Sequence, residues 1–407
     1  MKLSNVRTLS LAGLLLGILG LTACGGPQNT RPPAALQPIK TSLQVHQLWS
    51  THIGDGNGGY FIHLHPYVSG KTLYAADHAG IVAAYSLANG SQIWRMATKH
   101  KLVGGVSGGG GMLFVGAQDG KILGISLKSR SIVWKTQLSS EVMSVSEAAL
   151  GEVLAHTNDG GLYAIDVSTG NILWSHHRQI PNLILRGKNQ PLVVGSSTVL
   201  SGFSNGKLAA YSLSSGAPLW QVIVGEPSGV GALQQLVDVD GKIAVSASGD
   251  TIYAAGYHGR AIAVQSSNGQ ILWSHPMSSY AGVAANSSAV FVAASNSDIW
   301  ALDRANGASL WKQDALHYRV VTAPSVVGER YVVVGDYAGY LQWLSASDGR
   351  IVAREHVGSG GIQAAPIVVG DSVFVQTAGG TLAAYRIAGE NHPNASIQSN
   401  SLQFGLP

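Results

Sequence analysis

Residues 73–94 read Leu73-Tyr74-Ala75-Ala76-Asp77-His78-Ala79-Gly80-Ile81-Val82-Ala83-Ala84-Tyr85-Ser86-Leu87-Ala88-Asn89-Gly90-Ser91-Gln92-Ile93-Trp94. Two short apolar runs flank a turn at Gly80, which is a hairpin signal. A second turn ends in Gly90, and a third short run closes on Trp94. The same grammar returns at 114–134, 154–174, 200–220, 253–273 and 291–311, and in weaker form at 332–352 and 374–387. The tryptophans of the series are Trp49, Trp94, Trp134, Trp174, Trp220, Trp273 and Trp311, at gaps of 45, 40, 40, 46, 53 and 38 residues. A period of about 40–50 residues is the mark of a propeller or a repeat array, and it outranks any local assignment.

The hairpin turns number eight, at Gly80, Gly120, Gly160, Gly206, Gly259, Ser297, Gly339 and Gly379. Glycine suits primed hairpin turns because they need a positive φ. The eighth unit ends after Ile387 with no closing Trp strand, and the first Trp strand, around 47–51, has no hairpin before it. A strand from the N-terminal side therefore completes the last blade, which removes an open edge. The expected fold is all-β: an eight-bladed propeller over residues 42–387.

The 407 residues contain only 11% charged side chains and 52 glycines, as short strands and tight turns require. The formal charge is +4, and it falls to +2 without residues 1–23, which hold Lys2 and Arg7 and no acids. No Lys/Arg cluster marks a nucleic-acid face. Residues 9–21 form an apolar segment too short to span a bilayer and suited to a secretory signal, and they end in Leu21-Thr22-Ala23-Cys24. Cys24 is the only cysteine in the chain. This run resembles a bacterial lipobox, which implies cleavage before Cys24 and lipidation of its sulfur. Gly25 at the following position implies outer-membrane rather than inner-membrane retention. The expected organisation is a signal peptide at 1–23, a lipidated Cys24 and Pro/Gly-rich tether at 24–41, the propeller at 42–387, and a polar, disordered tail at 388–407.

The segment Ala164-Ile165-Asp166-Val167-Ser168-Thr169-Gly170-Asn171-Ile172-Leu173-Trp174 resembles the propeller repeat of quinoprotein dehydrogenases. The whole chain is closer to the BamB family of lipoproteins, the propeller subunits of the outer-membrane β-barrel assembly machinery. Three motifs carry that likeness in order: Leu183-Ile184-Leu185-Arg186-Gly187, Leu236-Val237-Asp238-Val239-Asp240, and Val334-Gly335-Asp336-Tyr337-Ala338-Gly339-Tyr340-Leu341. The resemblance implies a non-catalytic scaffold on the periplasmic side of the outer membrane. Its partners would be the POTRA domains of the barrel protein BamA, the other lipoproteins of the machinery indirectly, and nascent barrel clients. The implied docking residues are Leu183, Leu185 and Arg186 with Asp238 and Asp240. Ile184 stands where the family often has a polar residue, which makes this loop more apolar.

The residues point to the same places without the family. The gaps 174–220 and 220–273 are the longest, so extra residues lie near 176–190 and 221–240, and insertions in repeat proteins become loops. Aliphatics beside Arg186 match the composition of an interface hot spot. Two plainer readings stay open: Leu183 and Leu185 as the inward face of a strand, and Asp240-Gly241 as a hairpin turn.

Three rival functions have sequence tests. A quinoprotein dehydrogenase usually carries an adjacent disulfide pair over its cofactor, and Cys24 alone cannot form one; no acidic cluster suits Ca²⁺ either. Asp77, Asp119, Asp159, Asp298 and Asp336 each sit near a blade turn, a structural placement. A metal or haem protein would use His63 and His65, which share one face if 63–65 is a strand, but zinc needs three or four convergent ligands. A ligand- or polysaccharide-binding propeller would gather Tyr60, Phe61, Tyr67, Tyr257, Tyr280 and Tyr318 on one loop face. The expectation is no catalytic residue, no cofactor and no metal.

Overall fold

The computed structural model describes residues 31–388 apart from 182 and 186–188. Cys24, Arg186 and the polar tail beyond 388 lie outside the described residues. The chain divides into units Met1–Pro33 and Ala34–Pro407; the second contains the propeller.

Eight four-stranded antiparallel sheets follow one another along the chain. Seven are local: blade 1 at 67–97, blade 2 at 102–137, blade 3 at 142–177, blade 4 at 192–223, blade 5 at 244–276, blade 6 at 282–313 and blade 7 at 325–356. Blade 8 takes three strands from 367–387, and its fourth, outermost strand is Val45–His52, paired from Val45↔Ile387 to His52↔Thr381. The ring is closed by the N-terminal strand, as the repeat count required.

The second and third strands of each blade are buried on both faces, as in Thr72–Ala76 and Ile81–Ser86. That explains their Ala- and Val-rich runs, since blades packed on both sides leave no polar face. The hairpin between them encloses three residues: Gly80 N–H donates to Asp77 O at 3.2 Å and Asp77 N–H to Ile81 O at 3.0 Å. A three-residue loop needs one left-handed residue at its end, not the primed two-residue turn anticipated from Asp-Gly and Asn-Gly. Two turn assignments shift by one: the positive φ falls on Gly380 (90°), the last loop residue, rather than Gly379, and on His258 (49°), the middle one, rather than Gly259. The turn aspartates serve these hairpins: Asp77 Oδ1 accepts from Ile81 N–H at 2.7 Å, and Asp336 Oδ1 from Tyr340 N–H at 3.0 Å.

The tryptophans are the fasteners between blades. Trp134 donates its Nε1–H to Val167 O of the next blade at 2.9 Å, and a Cβ on Gly170 would stand 2.7 Å from its ring. Trp49 does the same across the closure, bonding Leu87 O at 3.0 Å and covering Gly90. Blade 7 breaks the pattern by exchanging partners. Elsewhere a small residue pairs with the outer-strand Trp, as Ala301↔Trp311; in blade 7 the pair is Trp343↔Ala353. The cause is the seam. Blade 8 has no hairpin before its outer strand, because Ala388 and Gln44 meet there instead (N–H to O, 2.9 Å), so no turn glycine waits for an indole. Trp343 sits one strand inward, fully buried against Tyr385 and Val373 of blade 8, and Leu43 joins that cluster.

Residues 34–41, expected within the tether, and 42–43 after them run along blades 6 and 7. Ala34 N–H bonds His317 O at 2.8 Å, and Ser42 N–H bonds Val352 O at 3.0 Å. Arg319 holds Asp336 at 2.8 Å and donates to Ala34 O at 3.0 Å, while Arg354 donates to Gln37 O at 3.0 Å.

Candidate docking face

In a four-stranded antiparallel blade the chain leaves the outer strand on the same face of the ring as the turn between strands two and three. The two long crossings, 178–191 and 224–243, therefore share one face with the turns at 77–80 and 256–259. They enter and leave blade 4, so they are neighbours.

The first crossing is anchored at both ends. Arg178 N–H bonds Gly160 O at 3.1 Å, and its guanidinium donates to Tyr211 Oη at 2.7 and 2.9 Å and lies 5.0 Å from the Phe203 ring centre. At the far end, buried Asn189 accepts Ser144 Oγ–H at 2.8 Å, and its amide brackets the backbone of Gly202 at 3.0 and 3.3 Å. Gln190 Nε2 donates to Val145 O at 2.9 Å. Between these anchors residues 183–185 adopt no strand, and Leu183 is 38% exposed. The inward-strand alternative for Leu183 is thereby excluded. Leu185 is half-buried, so only one of the two leucines stands open.

The second crossing carries the Asp-x-Asp pair, and both carboxylates are buried, Asp238 at 1% and Asp240 at 9% exposure. Asp238 exchanges backbone bonds with Tyr257 (Tyr257 N–H to Asp238 O, 2.7 Å), Val239 N–H bonds Phe203 O at 3.2 Å, and Ser204 Oγ–H points to Asp240 Oδ2 at 3.4 Å. Asp240-Gly241 makes no hairpin; the chain runs on, with Lys242 N–H bonded to Ala281 O at 3.0 Å. The two motifs meet at one bond: Leu185 N–H donates to Asp238 Oδ2 at 3.3 Å. Burial of a carboxylate is costly unless it accepts hydrogen bonds, so Asp238 holds the first crossing in place rather than facing outward.

What the sequence alone missed is the aliphatic content of the second crossing. Val230 is 96% exposed and Leu233 73%, on a turn pinned by Gln234 Oε1, which accepts from Val230 and Gly231 N–H at 3.1 and 3.2 Å. The signal was present as apolar residues inside a Gly-rich insertion.

The rival features separate. His63 and His65 lie in an irregular crossing, not a strand. Burial and the neighbouring His65 bring His63 down to about 4, so it is neutral at pH 7. Among the described residues no group of three His, Cys, Asp or Glu could hold a metal ion. Lys242, just before blade 5, reaches blade 7, donating to Pro324 O and Ser325 Oγ at 3.3 Å; desolvation of its ammonium brings it down to about 8. Of the six aromatics, Tyr60 and Phe61 are exposed, whereas Tyr67 begins the inner strand of blade 1 and Tyr257, Tyr280 and Tyr318 are half-buried.

A family model described as outer membrane protein assembly factor BamB matches residues 78–313 and 315–390. Outer membrane protein assembly factor BamB of Pseudomonas aeruginosa is 44% identical over 93% of this chain and 98% of that protein. Its counterpart in Escherichia coli K12 is 31% identical over 93% of this chain and 98% of that protein. The crystal structure of BamB from Moraxella catarrhalis superposes with a TM-score of 0.77 at 26% identity, covering 84% of this chain and all of that one. The quinohemoprotein alcohol dehydrogenase of Comamonas testosteroni also superposes, with a TM-score of 0.65 at 14% identity over 86% of this chain and 77% of that one; the likeness is one of fold.

Proposed function

Because the chain belongs to the BamB family of outer membrane protein assembly factors, we propose that it docks on the assembly machinery through the face built by crossings 178–191 and 224–243. It is a non-catalytic assembly factor. The partner is the periplasmic POTRA region of BamA, with the other lipoproteins reached through it, and Cys24 carries the lipid that holds the protein on the periplasmic side of the outer membrane.

The observation that supports this assignment is the bond from Leu185 N–H to Asp238 Oδ2. It makes the two motifs one unit in which Leu183 faces out and Asp238 sets the loop from behind. Arg186 belongs to the same loop and, with Lys188 close by in sequence, brings positive charge to it. Such a unit fits a hot spot: an apolar anchor and an Arg on a rigid frame.

The test is co-purification from membranes solubilised in mild detergent, using a tag on the C-terminal tail. The barrel-assembly protein should accompany the wild type and be lost from a folded Leu183→Ala/Arg186→Ala variant. Wild-type protein recovered without that partner would sink the docking assignment.

A further inference from the structure

Charge is unevenly shared around the ring. Residues 95–135, which run from the outer strand of blade 1 through blade 2, hold five lysines and two arginines against one acid, Asp119. The chain has 25 Lys and Arg and 21 Asp and Glu, so all its other residues together hold 18 cations against 20 acids. The excess is spread along the sequence, and the fold gathers it on one rim.

At the face that carries the docking crossings, the link from blade 1 to blade 2 brings Lys99, His100 and Lys101 beside the blade 2 turn. There the single acid is already taken: His100 Nδ1 meets Asp119 Oδ2 at 2.9 Å, and Lys121 Nζ donates to the same oxygen at 2.6 Å. Lys135, on the outer strand, donates to His100 Nε2 at 3.3 Å. That strand, Ser131–Gln137, then leads back to Lys128 and Arg130 in the turn at the opposite face. Lys99, Lys101, Lys128, Arg130 and Lys135 are all exposed, and none of them has a carboxylate partner among the described residues. Seven strand residues at about 3.3 Å each put roughly 20 Å between the two ends of this cationic line.

We propose that the rim of blade 2 rests against an anionic phospholipid surface, so that the propeller stands edge-on to the membrane. The composition selects the occupant. Protein interfaces are depleted in Lys and enriched in Arg and aromatic residues, whereas this rim is mostly Lys and its two aromatic rings, Phe114 and Trp134, are buried. Cations strung from one face of the ring to the other, with no apolar anchor among them, match a charged plane that touches them all at once. Juxtamembrane lysines are drawn to anionic headgroups in this way. The rim is also separate from the docking crossings, because ring order places Glu141 and Asp159 of blade 3 between them. The inference rests on the lipid-anchor assignment only for bringing a membrane within reach.

The experiment reconstitutes the full-length protein into vesicles of phosphatidylcholine alone or with phosphatidylglycerol, and reads the acylation rate of each lysine by mass spectrometry. With phosphatidylglycerol present, Lys99, Lys101, Lys128 and Lys135 should each react about fivefold more slowly, while Lys207 and Lys312 react at the same rate in both. About 0.5 M salt should abolish the difference. Lys99→Glu/Lys101→Glu/Lys135→Glu should melt like wild type and lose the protection of Lys128, which Lys99→Arg/Lys101→Arg/Lys135→Arg should keep. Equal rates in the two membranes, protection that survives the glutamates, or its equal loss with the arginines would each overturn the proposal. Protection that appears only when the barrel-assembly protein is added would assign the rim to a protein and overturn it as well. The glutamate variant should still co-purify with that protein, so failure of docking is read apart. Lipid on Cys24 is measured by mass; a chain without it is mixed with the same vesicles and its lysines read again, so a failed anchor leaves the rim tested.

Discussion

Replacing Trp343 by alanine tests the account of the ring seam. The indole is fully buried between blades 7 and 8, and truncating a core Trp to Ala costs about 3–5 kcal/mol through lost transfer energy and the cavity left behind. Its Nε1–H has no hydrogen-bond partner, unlike Trp49, Trp134 or Trp174. A buried unsatisfied N–H costs about 1–3 kcal/mol, so Trp343→Phe removes a penalty along with some apolar area and should shift stability by about 1 kcal/mol or less. The decisive variant is the exchange Trp343→Ala/Ala353→Trp, which restores the arrangement of the other blades. It should not rescue the single variant, because the turn glycine that would receive the indole is replaced by the meeting of Ala388 and Gln44. Urea unfolding followed by circular dichroism, with unchanged slope, gives the three differences. Recovery of the exchange variant to within about 1 kcal/mol of wild type would refute the seam argument.

Three further outcomes follow from the same geometry. Asp238→Ala should lower stability by about 1–3 kcal/mol and speed hydrogen exchange at the Leu185 amide, its bonded donor, whereas Leu183→Ala should leave that amide protected. Gly170→Ala places a Cβ at a φ of 75° and 2.7 Å from the Trp134 ring, and should cost more than about 2 kcal/mol; Arg130→Gly, at the corresponding turn with a φ of 52°, should stabilise by a few tenths to about 1 kcal/mol. His63 falls from 6.5 to about 4 on folding, so between those values the unfolded chain binds the extra proton. Its contribution to stability is whole above pH 6.5 and is lost as the pH falls toward 4; the drop in urea midpoint from pH 7.5 to 5 should be smaller in His63→Gln, and an equal drop would remove His63 as the cause.

The proposed docking site was legible in outline. Long gaps around Trp220 located both insertions, because a repeat fixes where a blade must end and any surplus must loop out. The roles inside the site were not legible. Leu183 and Leu185 look alike in sequence, yet the first is open and the second is drawn in by its own backbone bond to Asp238. Asp238 and Asp240 read as docking charges and are buried, since a segment crossing from blade 4 to blade 5 has its polar groups met by Phe203, Ser204 and Tyr257 of those two blades.

The sequence by itself determined the number of blades, their order and the closure by an N-terminal strand. Those features depend on periodic local patterns: a hairpin, a turn, and a Trp at a regular interval. Tertiary structure alone decided which residues on the ring are available. Trp343 trades places with Ala353 because the first and last strands of the ring meet beside it, and Asp238 turns inward because the first crossing needs an acceptor. Each outcome depends on what lies across a blade interface from residues distant in the chain, and that is information no local pattern carries.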